Sequence, residues 1–80
     1  ADLWYEKGRA LRNLSRLQES IPAYSRAIQL NPKNAIFRYE RGRTYMAMGK
    51  TKEAKDDVQM AANMGYQQID PNLKSQLGIQ

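Results

Sequence analysis

The chain contains no cysteine and no histidine among its 80 residues. It therefore cannot form disulfides, thiol nucleophiles or imidazole bases, and the usual zinc ligands are missing. No apolar run approaches the roughly 18 residues of a transmembrane helix, and the N-terminus has no apolar segment typical of a signal peptide. We expect a domain stabilised by side-chain packing alone, without a metal ion, a cofactor or a membrane span.

Charge and length limit the function further. The formal net charge is +5, with 13 basic and 8 acidic residues, and 41% of the chain is hydrophobic. A basic surface favours acidic partners, but no basic run is long enough to form a nucleic-acid-binding arm. The chain begins with Ala1 instead of methionine, which suggests an excised or processed piece. These features do not identify a compartment.

Apolar residues recur at steps of three and four, which is typical of amphipathic helices. Asn31-Pro32, Gly49 and Gly65 interrupt the pattern, and Asp70-Pro71 is a favourable helix start. The sequence therefore predicts five helices joined by short loops. Pro22 falls near the start of the second helix, so we expect that helix to begin late or to bend there.

Two short segments, WYEKGR at 4–9 and RYERGR at 38–43, nearly repeat each other 34 residues apart. The similarity continues beyond them, because Glu19 matches Glu53 and Ala27 matches Ala61 at the same offset. Since the matches span two predicted helices, the repeated unit is a helix-turn-helix and not a single loop.

Both units resemble the tetratricopeptide repeat in the residues at its defining positions. The first unit has Trp4, Gly8, Leu11, Ser20, Tyr24, Ala27 and Pro32 there, and the second has Gly42, Tyr45, Ala54, Val58 and Ala61. The resemblance, which covers about residues 1–66, implies an all-α fold with two antiparallel helix-turn-helix repeats in a right-handed superhelical array. The expected units are 1–34, 35–66 and a capping helix at 67–80, forming one domain. Small residues such as Gly8 and Gly42 are expected where paired helices cross closely.

Four positions depart from the family pattern. Lys7 and Arg41 replace the usual leucine, Arg38 replaces tryptophan, and Tyr66 stands where the next proline would be. Lys7 and Arg41 weaken part of their helix face, and their charged ends are expected to extend toward water. Tyr66 indicates that the second unit is not followed by a third of the same kind.

Catalytic and nucleotide sites find little support in the sequence. Gly49-Lys50-Thr51 ends like a phosphate-binding loop, but Thr44 occupies the place of the first glycine and no strand leads in. Glu53, Asp56 and Asp57 are interpreted as a solvated helix face, because no further metal ligand is near. No nucleophile is paired with a general base at a recognisable spacing, so we predict that the chain is not an enzyme.

The resemblance implies a peptide-binding groove, because first helices line the concave surface of stacked helix pairs. Tyrosine would supply apolar contact, and arginine would bind carboxylate or phosphate. The family subtype that clamps chaperone tails has lysine and asparagine where this chain has Tyr5, Arg9 and Glu40, so that specificity does not carry over. The predicted groove residues are Tyr5, Arg9, Arg12, Tyr39, Arg43 and Met46.

The function predicted from these observations is protein–protein interaction, as a scaffold or adaptor that holds a peptide or partner helix. Self-association through the repeat ends is a further expectation. One alternative is a purely structural segment, or a designed or excised model of a longer array, since three or more repeats are usually needed for stability. RNA binding is disfavoured because Glu6 and Glu40 dilute the basic charge.

Overall fold

The computed structural model describes residues 2–79, and over this range the chain forms five α-helices and no strand. Ala1 and Gln80, the ends of the first and last predicted units, lie outside the described residues. The all-α prediction is confirmed. None of the described helices is both long and apolar enough to cross a membrane. The helices are α1 (Asp2–Asn13), α2 (Leu17–Leu30), α3 (Ala35–Ala47), α4 (Thr51–Asn63) and α5 (Pro71–Leu77).

Glycines allow the two helices of each hairpin to pack closely. A Cβ atom at Gly8 of α1 would lie 2.8 Å from the ring of Tyr24 in α2. A Cβ atom at Gly42 of α3 would lie 2.8 Å from Cγ2 of Val58 in α4. Both distances are too short for a real side chain, so each glycine sets the distance between its helices. The predicted role of small residues at the crossings is confirmed.

The turns inside the two hairpins differ at one residue. Ser15 in the α1–α2 turn has φ 63°, and Gly49 in the α3–α4 turn has φ 78°. The left-handed conformation costs an L-residue roughly 1–2 kcal/mol, whereas glycine adopts it freely. The first turn therefore stores strain that the second avoids.

We expect Ser15→Gly to raise the free energy of unfolding by about 0.5–1 kcal/mol, because relief of the strain exceeds the added chain entropy. Gly49→Ser, the matched change in the second turn, should lower it by about 1 kcal/mol. Chemical denaturation of the two variants checks this. Changes of the same sign in both would contradict the interpretation.

Pro22 does not delay the second helix, which begins at Leu17. The first turn forms because the Ser20 N–H donates to the Arg16 carbonyl at 3.2 Å, and the Ser20 hydroxyl donates to the Leu17 carbonyl at 2.7 Å. Proline removes only the hydrogen bond to the carbonyl of Gln18. Both Pro22 and Gln18 are exposed, so water can take the place of the missing donor.

The fifth helix begins and ends where its sequence signals predict. The Asp70 side chain accepts a hydrogen bond from the Asn72 N–H at 3.0 Å, and Gly78 ends the helix in the left-handed conformation. Leu73 and Leu77 are buried, as the sequence predicts. They belong to a core shared with α3 and α4 that consists of Tyr39, Ala54, Val58, Ala61, Ile69, Leu73, Leu77 and Ile79.

Candidate functional site

Five polar or aromatic side chains lie together where α1 meets α3. Tyr5, Arg9 and Arg12 come from α1, while Glu40 and Arg43 come from α3. We call this set the α1/α3 face. Four of its members were predicted from the sequence as groove residues, and the fifth, Glu40, was not.

Tyr5 connects the face to the interior. Its ring packs against Phe37 at a centroid distance of 4.8 Å and against Tyr24 at 5.9 Å. Its hydroxyl donates to Oε2 of Glu40 at 3.5 Å. Burial, followed by the negative charge of Glu40, raises the pKa of the Tyr5 phenol above its usual value. The phenol therefore stays protonated at neutral pH and remains a donor.

Glu40 joins the two helices through its other oxygen. Its Oε1 accepts hydrogen bonds from Nη1 of Arg12 at 3.2 Å and from Nη1 of Arg43 at 3.2 Å. The carboxylate side chain is only 12% exposed. The available signal was its position three residues after Phe37 and four before Thr44, both of which are buried on the same side of α3.

A tyrosine with an arginine four residues later occurs at the equivalent position of each hairpin. The Arg9 guanidinium carbon lies 5.7 Å from the Tyr5 ring centroid, and the Arg43 guanidinium carbon lies 5.7 Å from the Tyr39 ring centroid. Each contact is a cation–π interaction of about 0.5–1 kcal/mol at an exposed site. Both arginines are exposed, so they present charged donors at two points of the face.

The two other predicted groove residues, Tyr39 and Met46 of α3, are less exposed than the two exposed arginines of the face. Tyr39 is 5% exposed, because the Tyr66 ring lies against it at 5.0 Å and its hydroxyl accepts a hydrogen bond from the Asp70 N–H at 3.0 Å. Met46 is half-buried against the same core. The chain after α4 folds over this part of α3, so Tyr39 supports the face from below and is not an exposed anchor.

Three surface cavities lie away from these residues. Their volumes are about 510, 420 and 340 Å³, and none is lined by a predicted groove residue. These three cavities therefore do not include the α1/α3 face. Two helix pairs build little curvature, since a concave surface arises from the small rotation added by each repeat.

Asp57, interpreted from the sequence as part of a solvated face, is buried at 3% exposure. Its two oxygens accept from Nε of Arg41 at 2.6 Å and Nη2 of Arg41 at 2.7 Å, and this hydrogen bonding raises the pKa of the Arg41 guanidinium. Arg41 also donates to the Ser25 hydroxyl at 3.0 Å, which ties α3 to both α2 and α4. Arg41 therefore points into the structure and not toward water.

Only Glu53 and Asp56 of the predicted acidic face are solvated. Over residues 2–79, no group of three or more carboxylate, imidazole or thiol side chains is placed to hold a metal ion. The acidic residues of α4 therefore divide into one structural carboxylate and two surface carboxylates.

Comparison with known proteins adds the family. Residues 8–49 match the model described as TPR repeat. The chain is 37% identical over 62 residues, 78% of its length, to the peroxisomal targeting signal receptors of Candida glabrata and Eremothecium gossypii. It spans only 10% and 11%, respectively, of those two proteins. The paired helices, the glycine crossings and these matches together mean that the chain belongs to the tetratricopeptide repeat family, whose helical repeats serve as protein–protein interaction modules.

Proposed function

We propose that the chain is a non-catalytic scaffold or adaptor that holds a peptide or partner helix on the α1/α3 face. The observation that carries this proposal is the recurrence of an exposed arginine over a tyrosine in each hairpin, both at 5.7 Å. Two such pairs on α1 and α3 offer a ligand two charged donors, with the half-buried ring of Tyr5 beside one of them.

The charge of the face favours a ligand with acidic groups. Arg9, Arg12 and Arg43 contribute three positive charges and Glu40 contributes one negative charge. Such an excess steers an acidic segment toward the face and increases the association rate. Nucleic acid is a weaker candidate, because Glu40 lies between two of the three arginines.

The proposed domain organisation explains where the face ends. We propose units at 1–34 and 35–66 with a cap at 67–80, all within one domain. Tyr66, Ile69 and Leu73 pack over the end of the second unit. A ligand would then contact the first helices from Tyr5 to Arg43, while the cap occupies the place of a third repeat.

The names of the two relatives describe receptors of a targeting signal. As names of receptors, they support a protein or peptide ligand for this chain. Because the chain spans only 10% and 11% of these two proteins, the proposal is limited to a binding role.

Titration of an acidic peptide library at two salt concentrations tests the proposal. Exposed ion pairs contribute about 0–1 kcal/mol each, so Arg9→Ala and Arg43→Ala should each weaken binding up to about fivefold at low salt. Both should also reduce the salt dependence and slow association. Lys52→Ala on the exposed side of α4 is the matched control and should change nothing. Weaker binding in Lys52→Ala alone would place the ligand on the opposite surface.

Self-association through the open end of α1 is the second proposal. Leu3, in the first turn of α1, is 85% exposed, and Leu14, directly after the end of α1, is 66% exposed. We expect sedimentation equilibrium to detect dimers at high concentration that Leu14→Glu removes. An entirely monomeric native chain, or dimers that persist in Leu14→Glu, would contradict this.

A further inference from the structure

We propose that Glu40 sets the charge selectivity of the α1/α3 face by occupying the place that a ligand carboxylate would take between Arg12 and Arg43. This inference rests on the proposed function and specifies which ligands the face accepts. Glu40 is therefore a specificity-determining residue in addition to a link between helices.

The geometry is that of a bound carboxylate. One oxygen of Glu40 accepts from Nη1 of Arg12 and from Nη1 of Arg43, both at 3.2 Å, so two guanidinium groups from different helices converge on it. The exposed fraction of the side chain increases from 12% for Glu40 to 21% for Arg12 and 49% for Arg43. The carboxylate is thus the least exposed member of the trio, held beneath the two arginines in the position between them.

An external carboxylate has to compete with this internal one. Glu40 is held by the fold next to both guanidinium groups, so it acts at a high effective concentration. Among the described side chains, Arg9 is the arginine of the face without a carboxylate partner. The native face therefore attracts acidic ligands through its excess charge but discriminates only weakly between acidic and neutral ones.

The first unit provides an internal comparison. Glu6 occupies the place equivalent to Glu40, 34 residues earlier, but it is exposed and makes no ion pair with the described side chains. Removing its charge changes the net charge by the same amount without freeing an arginine. Glu6→Gln is therefore a matched control for Glu40→Gln.

The test measures the affinity of an acidic peptide and of its Glu→Gln counterpart for the native chain and both variants. We expect Glu40→Gln to bind the acidic peptide about tenfold more tightly than the native chain does, because the charge-assisted donors of Arg12 and Arg43 become available to the peptide. Its affinity for the neutral peptide, and both affinities of Glu6→Gln, should stay within about twofold of native. Equal gains in the two variants, or an unchanged ratio of acidic to neutral affinity in Glu40→Gln, would overturn the inference.

A second variant covers the case in which Glu40→Gln does not fold. Glu40→Asp keeps the charge but withdraws the carboxylate from both arginines by one methylene. It should shift the preference toward the acidic peptide in the same direction and by a smaller factor. No shift in a folded Glu40→Asp would then overturn the inference.

A titration without peptide separates this inference from the proposed function. If neither peptide binds any of the three proteins, the proposed function fails. The inference is then tested separately, by following the NMR signals of the arginine Nε–H groups while succinate is added. The signals of Arg12 and Arg43 should move in Glu40→Gln and stay in place in the native chain. Equal movement in both proteins, or none in either, would overturn the inference.

Discussion

Asp57→Ala is expected to lower the free energy of unfolding by about 3–5 kcal/mol, because it leaves a partly buried guanidinium without its carboxylate. Arg41 donates to both oxygens of Asp57, and Nη1 of Arg38 lies 3.8 Å from Oδ1 of Asp57. A domain of this size has a total stability of roughly 5–15 kcal/mol, so the variant should be close to unfolded. Urea denaturation followed by circular dichroism measures the loss.

The neighbouring Asp56→Ala is the matched control, since Asp56 is exposed and its loss should cost no more than about 0.5 kcal/mol. The double variant Arg41→Met with Asp57→Leu should recover most of the stability, because apolar pairs often replace buried ion pairs well. Equal effects of Asp57→Ala and Asp56→Ala would show that the ion pair does not hold α3 to α4.

Replacing Gly8 or Gly42 with leucine is expected to lower the free energy of unfolding by about 1–3 kcal/mol or more, because the added side chain overpacks a filled core. Gly42→Leu should be the more severe change. A Cβ there would lie 2.8 Å from Val58 and 3.2 Å from the Ala54 carbonyl, which is backbone and cannot move aside easily. At Gly8 the three nearest atoms all belong to the Tyr24 ring.

Two further substitutions calibrate this prediction. Ala27→Leu should be costly as well, because Ala27 has no exposed surface. Gln29→Leu lies on the exposed side of α2 and should be nearly neutral in a thermal melt. A loss for Gln29→Leu as large as those at Gly8 and Ala27 would mean that the side chains do not face as the structure places them.

The sequence predicts the helices well because their signals are local. Spacing of three and four residues depends only on the geometry of one helix, and the cap at Asp70-Pro71 depends on a few adjacent residues. Gly8 and Gly42 could be placed at the crossings because they occupy the same position in the two copies of the 34-residue repeat. These elements need no knowledge of distant contacts.

The buried ion pair was missed because each partner was judged on its own charge. Asp57 shares the buried stripe of Ala54, Val58 and Ala61, at the same helical spacing. Arg41 interrupts the corresponding stripe of α3. Opposite charges within the apolar stripes of adjacent helices indicate a buried pair more strongly than a solvated face.

The burial of Tyr39 was not evident from the sequence for a different reason. Its repeat-equivalent Tyr5 is half-buried, and the two residues are identical in the sequence pattern. The difference arises from Tyr66 and Asp70, which contact Tyr39 from beyond the second unit. A repeat pattern cannot show this, because the ends of an array lack the neighbours that interior units share.

NMR mapping of the best acidic peptide on the native chain tests the central claim that the α1/α3 face is the binding surface. The account predicts that the largest backbone amide shifts occur around Tyr5, Arg9 and Arg43. Shifts confined to the outer sides of α2 and α4, around Arg26 and Lys52, would contradict it.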